Sequence, residues 1–242
     1  MKRISTILVI ALVAVMVLPL VAAATGLEAV VGMKEVRDKS GTVKISLEGN
    51  PLGDPLHVYN EAYTAQLRDA DGNLMNDGEW FQGFCVDLYH WAQIGGVLDV
   101  DFVKPSEVEG GLHAAWILEN RDSYNPPHAE WSDYELGGLQ LAIWEVTNDY
   151  SETFDYDLYA GTFEVLTNTA VDQTEELAAF YLNQLALYFD PTGLDDRYLI
   201  SQNPDKQNVI WQTGDPVPEP STMLLLGLGV AGIAWLKRRK RL

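Results

Sequence analysis

Cysteine is all but missing: the 242-residue chain holds one, Cys85. No internal disulfide can form, so a disulfide-stapled scaffold is excluded. Histidine is scarce as well. His57, His90, His113 and His128 form neither H-x-H nor H-E-x-x-H, and with one cysteine no zinc-ligand set closes at sequence spacing, so no metal is expected. Between its two ends the chain has no G-x-G-x-x-G and no G-x-x-x-x-G-K-[ST], which removes the nucleotide-binding signatures and leaves no cofactor to expect. Repeats at solenoid spacing are absent. Basic residues are few and unevenly placed. Lys2, Arg3 and five residues from Lys237 to Arg241 account for seven of the 16 Lys and Arg, so the middle of the chain sets nine basic residues against 34 acidic ones. Such a surface repels nucleic acid and anionic lipid, and nucleic acid is not an expected partner. The same acidity keeps an exported protein soluble without any further role.

Both ends are apolar. Lys2 and Arg3 precede an unbroken apolar run from Ile7 to Val21 and then Ala22, Ala23 and Ala24, the pattern of a cleaved signal peptide over residues 1–24. At the other end an apolar stretch from Met223 to Leu236 is closed by the basic cluster. At about 1.5 Å per residue, 221–236 makes a short membrane-spanning helix with residues 237–242 as a basic cytoplasmic tail. Val217-Pro218-Glu219-Pro220, the Gly-bearing apolar helix and Arg238 and Arg239 together resemble the PEP-CTERM sorting signal. The resemblance implies recognition by an exosortase, a transpeptidase-like membrane enzyme of Gram-negative bacteria, and a protein exported to the cell surface, held there by its C-terminal helix or released.

Between the ends, residues 25–40 read as a lead, 41–212 as one domain and 213–220 as a linker carrying the Pro-Glu-Pro. From Gly41 to Leu88 apolar residues recur with period two between turn residues, as in Val43, Ile45 and Leu47, which predicts strands. In "EWFQGFCVDLY" the alternation places Phe84, Val86 and Leu88 on one face and Cys85 among polar neighbours on the other. Three helices follow, opened by Ser106 with Glu109, Ser132 with Glu135, and Asp172 with Glu175 as capping boxes. "DRYLI" and "NVIWQ" close the domain as a hairpin. This order indicates an α+β fold with a helical layer over an antiparallel sheet or barrel.

Several segments invite a chemical reading. "DADGN", Asp69 to Asn73, opens like a calcium loop, but Leu74 and Trp80 stand where an EF-hand needs Gly and Glu, so a hairpin turn is expected. In "SDYELGGLQLAIWEVTND", Gln140 falls at the edge of the stripe formed by Leu136, Leu139, Ile143 and Val146. A hydrogen bond to a strand backbone explains such an amide as well as chemistry does. Gly137 and Gly138, each costing about 1 kcal/mol in a helix interior, point to close approach by another chain segment.

"FCVDL" around Cys85 and "LQLAIWEV" around Gln140 resemble the bacterial thioester domains of surface adhesins. The likeness implies a β-barrel or sandwich with an inserted helical subdomain, and a thioester with Cys85 as its sulfur and Gln140 as its acyl donor. Phe84, Asp87 and Trp144 support the pair from the matching motifs. A thioester of this kind captures a nucleophile once and does not turn over, so the chain is not expected to be an enzyme. Its partner is an extracellular protein amine or a polysaccharide, in adhesion or a biofilm matrix. Two other readings stay open: a non-covalent carbohydrate- or matrix-binding module using aromatics such as Trp91 and Trp131, and a cysteine hydrolase with a histidine beside Cys85.

Overall fold

The computed structural model describes residues 28–123, 133–166 and 172–214. Among them are ten strands: β1 (Ala29–Val36), β2 (Thr42–Leu47), β3 (Leu56–Tyr59), β4 (Ala62–Arg68), β5 (Phe81–Cys85), β6 (Val97–Asp99), β7 (Asp101–Val103), β8 (Phe163–Val165), β9 (Tyr198–Asn203) and β10 (Lys206–Gln212). Seven form one antiparallel sheet in the order β6-β1-β4-β5-β10-β9-β7. Its edge strands are consecutive in the chain and separated by Val100 alone, so the sheet curls until its edges nearly meet. Asn203 spans the seam, its side-chain amide donating to the Asp99 carbonyl at 2.8 Å. Glu28 pins both sides, its carbonyl accepting from Val100 N at 2.9 Å and its carboxylate from Phe102 N at 2.6 Å. A second sheet has the order β3-β2-β8.

The period-two reading of β2 holds, with Val43, Ile45 and Leu47 all buried. In β5 it does not, because both faces are covered. Phe84 and Ile200 are both partners of Ile210, and Ile200 packs against Gly111 of the helical layer. Gly83, Val209 and Trp211 therefore take the opposite, inner face. Cys85 is 1% exposed and Asp87 8%, so the polar environment expected for the cysteine is replaced by a buried one.

The helices are α1 (Gly111–Asn120), α2 (Glu135–Asn148), α3 (Asp172–Tyr188) and the short α4 (Leu194–Arg197). Ser106 does not cap α1. It lies in a single tight turn, Pro105–Glu107, and α1 begins only after Gly110, whose φ of 71° and contact with the Val146 carbonyl of α2 leave no room for a Cβ. The first turn of α2 is capped from afar: Asp38 Oδ2 accepts from Leu136 N at 2.8 Å and from Gly137 N at 3.4 Å. The expected cap Ser132 lies outside the described residues.

Gly137 admits the Ser40 side chain and Gly138 the Leu177 side chain of α3, the close approach the two glycines predicted. Every residue of α2 from Gly137 to Val146 is buried, so the helix is enclosed on all sides and Gln140 sits in the core instead of at the edge of an apolar stripe. β1 and the Asp38–Ser40 turn precede residue 41, where the lead was expected to end, and both are part of this architecture. The segments expected to be a signal peptide, a transmembrane helix and a basic tail, and the Pro218-Glu219-Pro220 segment, lie outside the described residues; among those described, no helix is long and apolar enough to cross a membrane.

Candidate functional site: a buried thiol and carboxamide

β5 and α2 bring together two residues 55 positions apart. Gln140 Oε1 accepts from Cys85 N at 3.0 Å, and Gln140 Nε2 donates to the Cys85 carbonyl at 2.8 Å. The reason lies in the ladder. Val86 N donates to Asn208 O across β10, so by alternation the N–H and C=O of Cys85 point the other way, toward β4. There the pairing stops at Ala62 with Phe84, and Glu61 forms no pair with Cys85. The Gln140 side chain enters the gap and satisfies both backbone groups as a strand residue would. The expected backbone hydrogen bond is thus present, and it is made to the cysteine itself.

The sulfur donates to the Asp87 carbonyl at 2.9 Å and accepts from Asp87 N at 3.4 Å. Burial pushes the Cys85 thiol up; the Trp144 indole, one helical turn beyond Gln140, and the Asp87 backbone oppose the rise only in part. The Asp87 carboxylate faces away from the sulfur, accepting from Tyr89 N at 2.7 Å and pairing with His90 Nδ1 at 2.7 Å. Phe84 is buried on the helix-facing side of β5. Among the described residues no histidine contacts the sulfur, and a thiol held protonated is the reverse of the thiolate a cysteine hydrolase uses. What the arrangement offers is a buried carboxamide held on the backbone of a buried cysteine, both closed to bulk water. The amide has to turn out of its two hydrogen bonds to present Cδ to Sγ.

Two further buried groups escaped the sequence reading. Glu145 lies on α2, where Oε1 accepts from Asp157 N at 2.8 Å and Oε2 has no partner. Burial, with help from the charges of Asp149 and Asp157 and against the Asp157 N–H, pushes its carboxyl up to about 8. His113 of α1, bonded to the Tyr156 hydroxyl at 2.5 Å and stacked on Phe154, is pushed down to about 4 by burial. No cluster of three or more acidic, His or Cys side chains able to hold a metal occurs among the described residues. "DADGN" is a turn, with Asp69 Oδ1 accepting from Asp71 N and Asn73 N and Gly72 at φ 82°.

The Glu145 shift has a measurable sign. The fold favours the neutral carboxyl, so its contribution is full below the ordinary value of 4.5 and is lost as pH rises through about 8. From pH 6.5 to 8 the last protons leave His113 of the unfolded chain, which raises stability with pH, so a fall across that window has the sign of Glu145 and not of His113. The melting temperature should fall across that window, by about 2–4 °C per kcal/mol for a domain of this size. Glu145→Gln should flatten the fall; an unchanged slope in the variant would refute the assignment.

The described residues define an α+β domain, a helical layer on a nearly closed antiparallel sheet, with a thiol–carboxamide pair at their junction. The C-terminal segment, residues 216–240, matches the PEP-CTERM protein-sorting motif. The chain carries the signal of an exported protein that is recognised by an exosortase and sorted at the membrane in Gram-negative bacteria. No curated protein and no solved structure matches it.

Proposed function

We propose that this is an exosortase-sorted surface protein whose domain closes a Cys85–Gln140 thioester for one-time covalent attachment to an amine or hydroxyl of a partner or matrix. The observation that carries the reading is the double hydrogen bond that fixes the Gln140 carboxamide on Cys85 in a site from which water is excluded. In the closing step Sγ attacks Cδ, the C–N bond breaks, and the thiol proton leaves with ammonia. Once the amide turns toward the sulfur, proximity in a site without bulk water replaces the activation that a low-pKa thiolate would supply. An acylated sulfur is also protected from oxidation outside the cytoplasm.

The intact mass of the purified chain tests this. It should lie one ammonia below the sequence mass of the mature protein, methylamine should add its own mass as an N-methyl amide of Gln140, ending one methylene above the sequence mass, and release one thiol, and Cys85→Ala should abolish the deficit. Full mass with an immediately titratable thiol would sink the reading. It would leave the alternative of a non-covalent matrix-binding module, which rests on Trp91, 59% exposed on the loop after Cys85. Trp131 lies outside the described residues.

A further inference from the structure

Two buried donors beside the Cys85–Gln140 pair bond to nothing. Trp144 follows Gln140 by one turn of α2 and is almost fully buried, yet its Nε1 has no hydrogen-bond partner. The indole is close enough to the Cys85 sulfur to favour its anionic form, but stands outside hydrogen-bond geometry in the resting thiol. Asn60 is 1% exposed, and both its Oδ1 and its Nδ2 lack partners. Its Nδ2 lies 2.6 Å from where a Cβ on Gly137 would stand, and Gly137 precedes Gln140 by three residues on the same helix face. It also lies two residues before Ala62, at the end of the ladder where the Gln140 amide enters. Buried polar groups without partners are rare in folded proteins, and two of them flanking one thiol–carboxamide pair call for a common cause.

Resting on the thioester reading above, we propose that Trp144 and Asn60 are the donors that polarise the acyl bond, the indole N–H at the sulfur and the Asn60 amide at the acyl oxygen. When an amine adds, its nitrogen bonds to the Gln140 acyl carbon, the carbon–sulfur electrons return to Cys85, and the amine proton ends on the sulfur. Charge develops first on the acyl oxygen and then on the departing sulfur. A donor already in place at each atom, in a dry site, stabilises both without reorganisation. Both donors stand idle before the bond forms, which accounts for their lack of partners in the thiol form.

The test uses the full chain and follows methylamine-driven thiol release together with spontaneous hydrolysis. Trp144→Phe keeps an aromatic ring and removes the N–H; Asn60→Leu keeps the number and branching of the side-chain heavy atoms and removes the amide. Each should slow aminolysis by about 10²-fold, the usual effect of deleting one such donor. In a Cys85→Ala background, where no acyl bond forms and the Asn60 amide has no partner, Asn60→Leu should leave the melting temperature unchanged or higher, because it removes an unpartnered buried group. A role in packing alone would show the opposite pattern, with lower stability and faster hydrolysis as water enters. Aminolysis within about threefold of wild type in both variants overturns the proposal and leaves the thioester standing. If Trp144→Phe fails to fold, Asn60→Leu decides by the same criterion. A wild-type chain of full sequence mass removes the thioester reading and this proposal with it.

Discussion

Gln140→Leu, made in a Cys85→Ala background where no acyl bond can form, is expected to destabilise the chain by about 2–6 kcal/mol. The estimate follows from the two backbone groups of residue 85 that the amide satisfies, each buried and each costing about 1–3 kcal/mol when left without a partner. Cys85→Ala alone should cost less, because it removes a small side chain and leaves the backbone bonds in place. Denaturant titration of the two chains gives the difference. Equal midpoints would mean that the gap beside Cys85 is closed by water or by a shift of Glu61, and that the amide is not structural. The result also bounds the chemistry: closing a thioester expels the nitrogen that donates to the Cys85 carbonyl, so bond formation proceeds against part of this stabilisation.

Gly83→Val is the second large effect. A Cβ at Gly83 would lie 2.4 and 2.7 Å from ring carbons of Trp211 and 2.8 Å from Val209 Cγ1. Trp211 cannot easily retreat. It is fully buried, and its Nε1 donates to Ser201 Oγ at 2.9 Å. Overpacking of this kind costs about 3 kcal/mol. Even Gly83→Ala should lower the denaturation midpoint, and a smaller residue at position 211 should restore part of that loss, since contacting positions do not add independently. A Gly83→Val chain as stable as wild type would show that the inner face of β5 and β10 is packed differently.

The sequence made some of this plain and hid the rest for physical reasons. β2 and the β9–β10 hairpin were legible because half-buried strands alternate and turns use a small set of residues. β6, β7 and β8 were not, being three residues each, too short to show a period. β1 carries Gly32 and a register shift between Val31 and Lys34, which blurs its alternation. The cap of α2 was hidden because Asp38 lies nearly a hundred residues from the N–H groups it serves, and no local pattern signals a partner at that range. The placement of Cys85 and Gln140 against each other was legible through their flanking motifs. The orphaned Asn60 carried no signal, since nothing in "VYNEAY" distinguishes a buried asparagine from a turn residue.

The seam between β6 and β7 has a consequence for life on a crowded surface. A protein delivered in many copies to one membrane risks polymerising through exposed strand edges, each edge templating the next molecule. Here the large sheet presents as its two borders three-residue strands that follow one another through Val100, with Asn203 and Glu28 fastened across them. The borders of the smaller sheet, β3 and β8, are four and three residues long. Among the described residues neighbouring copies therefore find no extended ledge on either sheet, and domains crowded side by side do not template one another's strands.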